Sequence, residues 1–101
     1  MSNRLEQIQN WPELAEQAQW SVSALAKKCG VSVRTLERHF IQQMGKSPKV
    51  WLTGQRQEQA RKLLKGGWRV KEVANLLIYK HSSHFTNDFK QHWGQCPSNL
   101  T

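Results

Sequence analysis

Apolar residues recur three and four positions apart along almost the whole chain, and no run alternates apolar and polar residues long enough to make a strand. The pattern predicts an all-α protein. Leu5, Ile8, Leu14, Ala15 and Ala18 outline a first amphipathic region, broken at Trp11 and restarted by Pro12, whose missing N–H is harmless in a first helical turn. Ser21 is placed to cap a short helix carrying Val22, Leu25, Ala26 and Cys29, and Gly30 is placed to end it in a left-handed conformation. Ser32 can cap the next helix, whose apolar stripe is Val33, Leu36, Phe40 and Met44 and whose closing residue is Gly45. Two short helices joined by a Gly-containing turn form the helix-turn-helix pattern. A longer helix then runs from about Pro48 through Val50, Trp51, Leu52, Arg56, Ala60, Leu63 and Leu64 to Gly66 and Gly67.

The pattern repeats. Val22 and Ala26 recur 48 residues later as Val70 and Ala74, whereas Leu36, Phe40, Gly45 and Pro48 recur 49 residues later as Phe85, Phe89, Gly94 and Pro97. The change of one places a single extra residue in the turn of the second copy, where added length disrupts least. The predicted fold is all-α, two helix-turn-helix subdomains joined by a long connecting helix, about seven helices in total. The expected organisation is an N-terminal helical segment at 1–20, a first helix-turn-helix at 21–48, the connecting helix at 49–67 and a second helix-turn-helix at 68–101.

Charge directs attention to a polyanionic partner. Over 101 residues, 15 Lys and Arg against 7 Asp and Glu give a net charge of +8, favouring nucleic acid before a membrane surface. The charge is concentrated in the middle of the chain. Residues 27–65 hold Lys27, Lys28, Arg34, Arg38, Lys46, Lys49, Arg56, Arg61, Lys62 and Lys65 against only Glu37 and Glu58, whereas the first twenty residues set Arg4 against Glu6, Glu13 and Glu16. Cys29 and Cys96 are too few for a disulfide framework or a CxxC metal motif, and Cys29 falls in the apolar row of its helix. No signal peptide or membrane segment is legible, so the expected setting is a bacterial cytoplasm, on the nucleoid, with no membrane partner.

These residues resemble the DNA-binding domain of the AraC/XylS family of bacterial transcription regulators, over roughly residues 20 to 101. The first unit, WSVSALAKKCGVSVRTLERHFIQQMGKSP, carries the pattern in Ala26, Gly30, Ser32, Leu36, Phe40, Gly45 and Pro48. The connecting stretch carries it in Leu52, Arg56, Ala60, Leu63 and Leu64, and the second unit in Val70, Val73, Ala74, Ser83, Phe85, Phe89, Gly94, Pro97 and Ser98. The departures are Ile78 and Tyr79 where the family has Gly-Phe, Gln57 where it has an apolar residue, and an ending in Asn99, Leu100 and Thr101. A left-handed backbone at Ile78 costs roughly 1–2 kcal/mol, so the second turn is expected to be strained or reshaped. The resemblance implies that the long helix holds two reading helices in successive major-groove segments ~34 Å apart. It implies double-stranded DNA and RNA polymerase as partners, and a chain acting as a monomer or dimerising through a further domain.

In a helix-turn-helix, exposed side chains of the second helix meet base edges while flanking donors and cations hold phosphates. Arg34, Thr35, Glu37 and Arg38 are the expected base readers of the first unit. Arg38 is suited to guanine O6 and N7, and Glu37 either accepts from cytosine or orients an arginine. By the repeat, His81, Ser82, Ser83, His84, Thr86 and Asn87 are the readers of the second unit, with Asn87 suited to adenine and one of the serines serving as the helix cap. Asp88 is adverse near phosphate. Ser32, Lys49, Arg56, Lys80 and Lys90 are the expected phosphate contacts, although the family gives an arginine at the place of Arg56 an equally structural role.

Other classes find less support. His81, His84, His92 and Cys96 fit no zinc spacing, and no nucleophile, base and orienter occur together, so no metal, cofactor or catalytic residue is assigned. The alternative is a helical protein-interaction or RNA-binding module using Trp11, Trp20, Trp51, Trp68 and Trp93, although Trp51 and Trp93 lie in apolar rows and fit better as core fillers.

Overall fold

The computed structural model describes residues 5–100; Arg4 and Thr101 lie outside the described residues. The described residues form six α-helices: α1 Trp11–Gln17, α2 Val22–Cys29, α3 Val33–Met44, α4 Pro48–Lys65, α5 Val70–Leu76 and α6 Ser82–Trp93. Short 3-10 turns occupy Leu5–Gln7 and Pro97–Leu100, so the two ends supply single turns where the sequence count of about seven helices allows one more helix. No strand is present among the described residues.

The caps follow the sequence. Ser21 Oγ accepts from the Ala24 amide at 3.3 Å, and Ser32 Oγ accepts from the Thr35 amide at 3.1 Å. Gly30 and Gly45 end α2 and α3 in left-handed conformations, with φ of 71° and 70°. Trp11 is the first residue of α1 with Pro12 behind it, which moves the expected break one residue earlier, to Asn10. Ser47, not foreseen as a cap, accepts from the Val50 amide at 3.2 Å and opens α4.

The chain forms two compact units, one ending at Gln55 and the other beginning at Arg56 within α4. In the first, Leu5, Trp11, Ala15, Ala18, Leu25, Ala26, Cys29, Leu36, Phe40 and Leu52 make a wholly apolar core. Phe40 is gripped edge-on by Trp11 and Trp51, with ring centroids 5.0 and 5.3 Å away, so Trp51 serves as the expected core filler. In the second, Ala60, Leu64, Val73, Ala74, Leu77, Phe85 and Phe89 are buried together with Tyr79 and Gln57. Burying each large apolar side chain contributes roughly 1.5–3 kcal/mol.

The duplication is visible in the backbone. Val33–Met44 and Ser82–Trp93 are the same 12-residue helix displaced by 49. The Val31 amide bonds to Ala26 O at 3.0 Å, and 48 residues on the Tyr79 amide bonds to Ala74 O at 2.9 Å. The extra residue therefore falls between Tyr79 and His81. The repeat also extends further back than the sequence shows. Trp20 N bonds to Ala15 O at 2.9 Å, and 48 residues on Trp68 N bonds to Leu63 O at 3.1 Å, so Trp68 is the counterpart of Trp20 at the turn before each helix-turn-helix.

Candidate nucleic-acid interface

Leu36 and Phe40 are fully buried and fix which way α3 faces. The opposite side presents Arg34, Glu37 and Arg38, which with Ile41 and Gln42 line one shallow concavity. These five lie at spacings of three, four, seven and eight from Arg34, the signature of a single helix face. Ile41 and Gln42 were not singled out from the sequence, although that spacing already placed them there. Thr35 is exposed at the start of α3, where its Oγ1 accepts a 3.0 Å hydrogen bond from the Ser32 hydroxyl. Lys49 is exposed in the first turn of α4.

The second unit offers a different surface. The residues 49 positions beyond the five of α3 are Ser83, Thr86, Asn87, Lys90 and Gln91, so the equivalent stripe is polar with one cation. Ser83, Asn87 and Lys90 are exposed and Thr86 is half-buried. The serine cap expected for α6 is corrected: the extra residue puts His81 at the capping position, with an extended backbone and no side-chain capping bond, and Ser82 and Ser83 become the first helical residues. The His81 carbonyl accepts from the His84 and Phe85 amides at 3.2 and 3.3 Å. Near this helix start, Lys71, Ala74, Asn75, Tyr79, Lys80 and Ser82 line a second concavity, which joins Lys80 to a Lys71 that the sequence reading left aside.

Beneath α6 runs a polar network absent from the first unit's core. The buried Gln57 amide donates to the Tyr79 hydroxyl at 3.1 Å, and that hydroxyl donates to Asp88 Oδ2 at 3.1 Å. His84 Nε2 lies 3.7 Å from the same carboxylate oxygen. Burial, foremost, pushes the Tyr79 phenol up to about 12, Asp88 reinforcing the shift and Arg56 opposing it. Asp88 is thus turned toward Tyr79 as well as toward solvent. The Arg56 guanidinium donates to Leu77 O from Nε at 3.1 Å and from its terminal nitrogen at 2.6 Å, and it lies 3.8 Å from the Tyr79 ring centroid. It closes the C-terminal end of α5, so its donors are directed into the unit and away from the phosphate role considered for it. Gln57 Oε1 and Trp93 Nε1 are buried without a hydrogen-bond partner.

Cys29 is buried, which pushes its thiol up and keeps it protonated. Among the described residues, no group of three or more His, Cys, Asp or Glu is placed to hold a metal ion, and no helix is long and apolar enough to cross a membrane.

Residues 25–101 match the helix-turn-helix domain family. The chain belongs to the AraC-type helix-turn-helix family. This is a family of transcription-regulator DNA-binding domains and not an enzyme family. The AraC-type chain is 37% identical over 83 residues to the HTH-type transcriptional regulator RipA of Corynebacterium glutamicum, a match covering 82% of this chain and 25% of RipA. It spans about a quarter to a third of the length of the curated relatives it matches. Among solved structures it is similar to the C-terminal domain of the two-component response regulator yesN of Fusobacterium nucleatum, with a TM-score of 0.80 and 27% identity over 98% of both chains. It is also similar to the DNA-binding domain of the global transcriptional factor AdpA, solved in complex with a target DNA, with a TM-score of 0.72 and 29% identity over 86% of this chain and 85% of that one.

Proposed function

We propose that this AraC-type domain binds double-stranded DNA sequence-specifically as a monomer and regulates transcription, with α3 and α6 as its reading helices. The observation that carries the proposal is the exposed face of α3, where Arg34, Glu37 and Arg38 converge on one concavity while Leu36 and Phe40 hold the helix from behind. A guanidinium on such a face matches guanine O6 and N7 with two hydrogen bonds, and a neighbouring carboxylate accepts from cytosine N4 or orients the arginine. Thr35 joins the readers of α3. In α6 the readers are His81, Ser82, Ser83, His84, Thr86 and Asn87, with Asn87 on adenine. Ser32, Lys49, Lys80 and Lys90 contact phosphates and fix the register; Arg56 leaves that set because its donors serve Leu77. The DNA-bound AdpA domain supports this reading by similarity.

Residues 21–48 and 68–101 serve as the two reading subdomains, joined by 49–67 and preceded by a helical segment at 1–20. The domain works in a bacterial cytoplasm, and RNA polymerase is its further partner by family resemblance. Selection from a random duplex pool tests the proposal. An enriched site is expected, with affinity falling steeply as salt rises because each neutralised phosphate releases counterions. Failure to enrich any duplex, or equal affinity for duplex RNA, would remove sequence-specific DNA reading and favour an interaction or RNA-binding module.

A further inference from the structure

Ile41 stands out on the α3 face. A single exposed apolar residue is ordinary on any protein surface. Ile41, however, is 54% exposed and shares its concavity with the charged and polar side chains Arg34, Glu37, Arg38 and Gln42. Its side chain is not needed by the core, which Leu36 and Phe40 fill from the opposite side of the helix. At the equivalent place, 49 residues on, the second unit carries Lys90. The same backbone position thus holds a cation in one unit and a branched aliphatic group in the other.

We propose that Ile41 is a specificity-determining residue of the first unit, which reads the 5-methyl group of a thymine beside the base pair contacted by Arg38. The major groove displays one apolar feature, that methyl group, and an aliphatic side chain recognises it by excluding water from both surfaces. Ile41 lies three residues beyond Arg38, about 4.5 Å along the helix axis, comparable with one base-pair step of ~3.4 Å. The inference rests on α3 being a DNA-reading helix.

The test uses the duplex selected by this chain, with each thymine replaced singly by deoxyuridine, which removes only the methyl group. Wild type, Ile41→Ala and Ile41→Lys are compared by affinity on every duplex. Because Ile41 is exposed, both variants are expected to keep the wild-type helical circular dichroism. One deoxyuridine in the block protected by α3 should weaken the wild type about fourfold, the scale of one buried methyl group. Both variants should lose that discrimination while keeping the wild-type preference at the Arg38 base pair. A deoxyuridine penalty identical in all three proteins, or none in that block, overturns the assignment of Ile41 and leaves α3 as a reader. If the wild type selects no duplex, the DNA-reading proposal itself fails and the assignment falls with it.

Discussion

Both units contain the same two turns, and each places its glycine at a different one. In the first unit Gly30 takes the left-handed position of the helix-turn-helix, with φ of 71°, while Gln19 and Trp20 carry positive φ of 55° and 58° at the turn before it. In the second unit Gly67 relaxes the earlier turn, and Ile78 is held at φ of 66° in the helix-turn-helix. A non-glycine residue in that region costs roughly 1–2 kcal/mol, so strain sits before the helix-turn-helix in one unit and inside it in the other. The interiors differ in a parallel way. The first core is apolar throughout, whereas the second surrounds Tyr79 with Arg56, Gln57 and Asp88. One backbone plan thus tolerates two chemistries, because its hydrogen bonds depend on turn geometry and leave the packing free to vary.

The largest stability effect expected from this contrast is Arg56→Ala. It removes two charge-assisted bonds to Leu77 O and the cover over Tyr79, and should destabilise the second unit by roughly 2 kcal/mol in chemical denaturation. An unchanged midpoint would mean that Arg56 does not hold the turn. Gln57→Leu should act in the other direction. It loses the bond to Tyr79 but also removes a buried carbonyl without a partner, for a net gain of up to about 1 kcal/mol.

Exchanging the turn residues should give smaller effects of opposite sign. Ile78→Gly relieves strain while adding freedom to the unfolded chain, for a net gain of about 0.5–1 kcal/mol, and Gly30→Ile should lose a similar amount. Equal responses at the two turns would erase the contrast between the units. Tyr79 supplies a pH test that needs no kinetics. Its phenol is raised to about 12 in the folded protein from an ordinary 10, so its contribution to stability is complete below pH 10 and lost as pH rises through about 12. Since Tyr79 is the only tyrosine, tyrosinate absorbance should appear near pH 12 in the native protein and near pH 10 when it is unfolded.

What was legible in the sequence was local. Ser21, Gly30, Ser32 and Gly45 declare their capping roles because each acts within a few residues of itself, and the strained Ile78 followed from its register with a glycine position. His81 displaced the serines as the cap because one added residue shifts which side chain meets the helix start, a choice that spacing alone leaves open. The network through Gln57, Tyr79 and Asp88 was illegible because its members lie 22 and 9 residues apart and meet only through packing. Trp68 became intelligible only when its amide was found bonding as Trp20 does. On the reading surface, the charged members of the α3 face were found by their chemistry, whereas Ile41 was passed over because an apolar residue is assigned to a core by default.

The central claim is that both units read bases, the first through Arg38 and the second through Asn87. The most direct measurement is the base-by-base binding penalty across the selected site for wild type, Arg38→Ala and Asn87→Ala at one fixed salt concentration. Arg38→Ala is predicted to cost roughly 1–3 kcal/mol and to relax one block of sequence, while Asn87→Ala relaxes a separate block about one helical turn away. A uniform loss across all sequences from either substitution, or a single block insensitive to Asn87→Ala, would contradict the account and leave α6 gripping only the backbone.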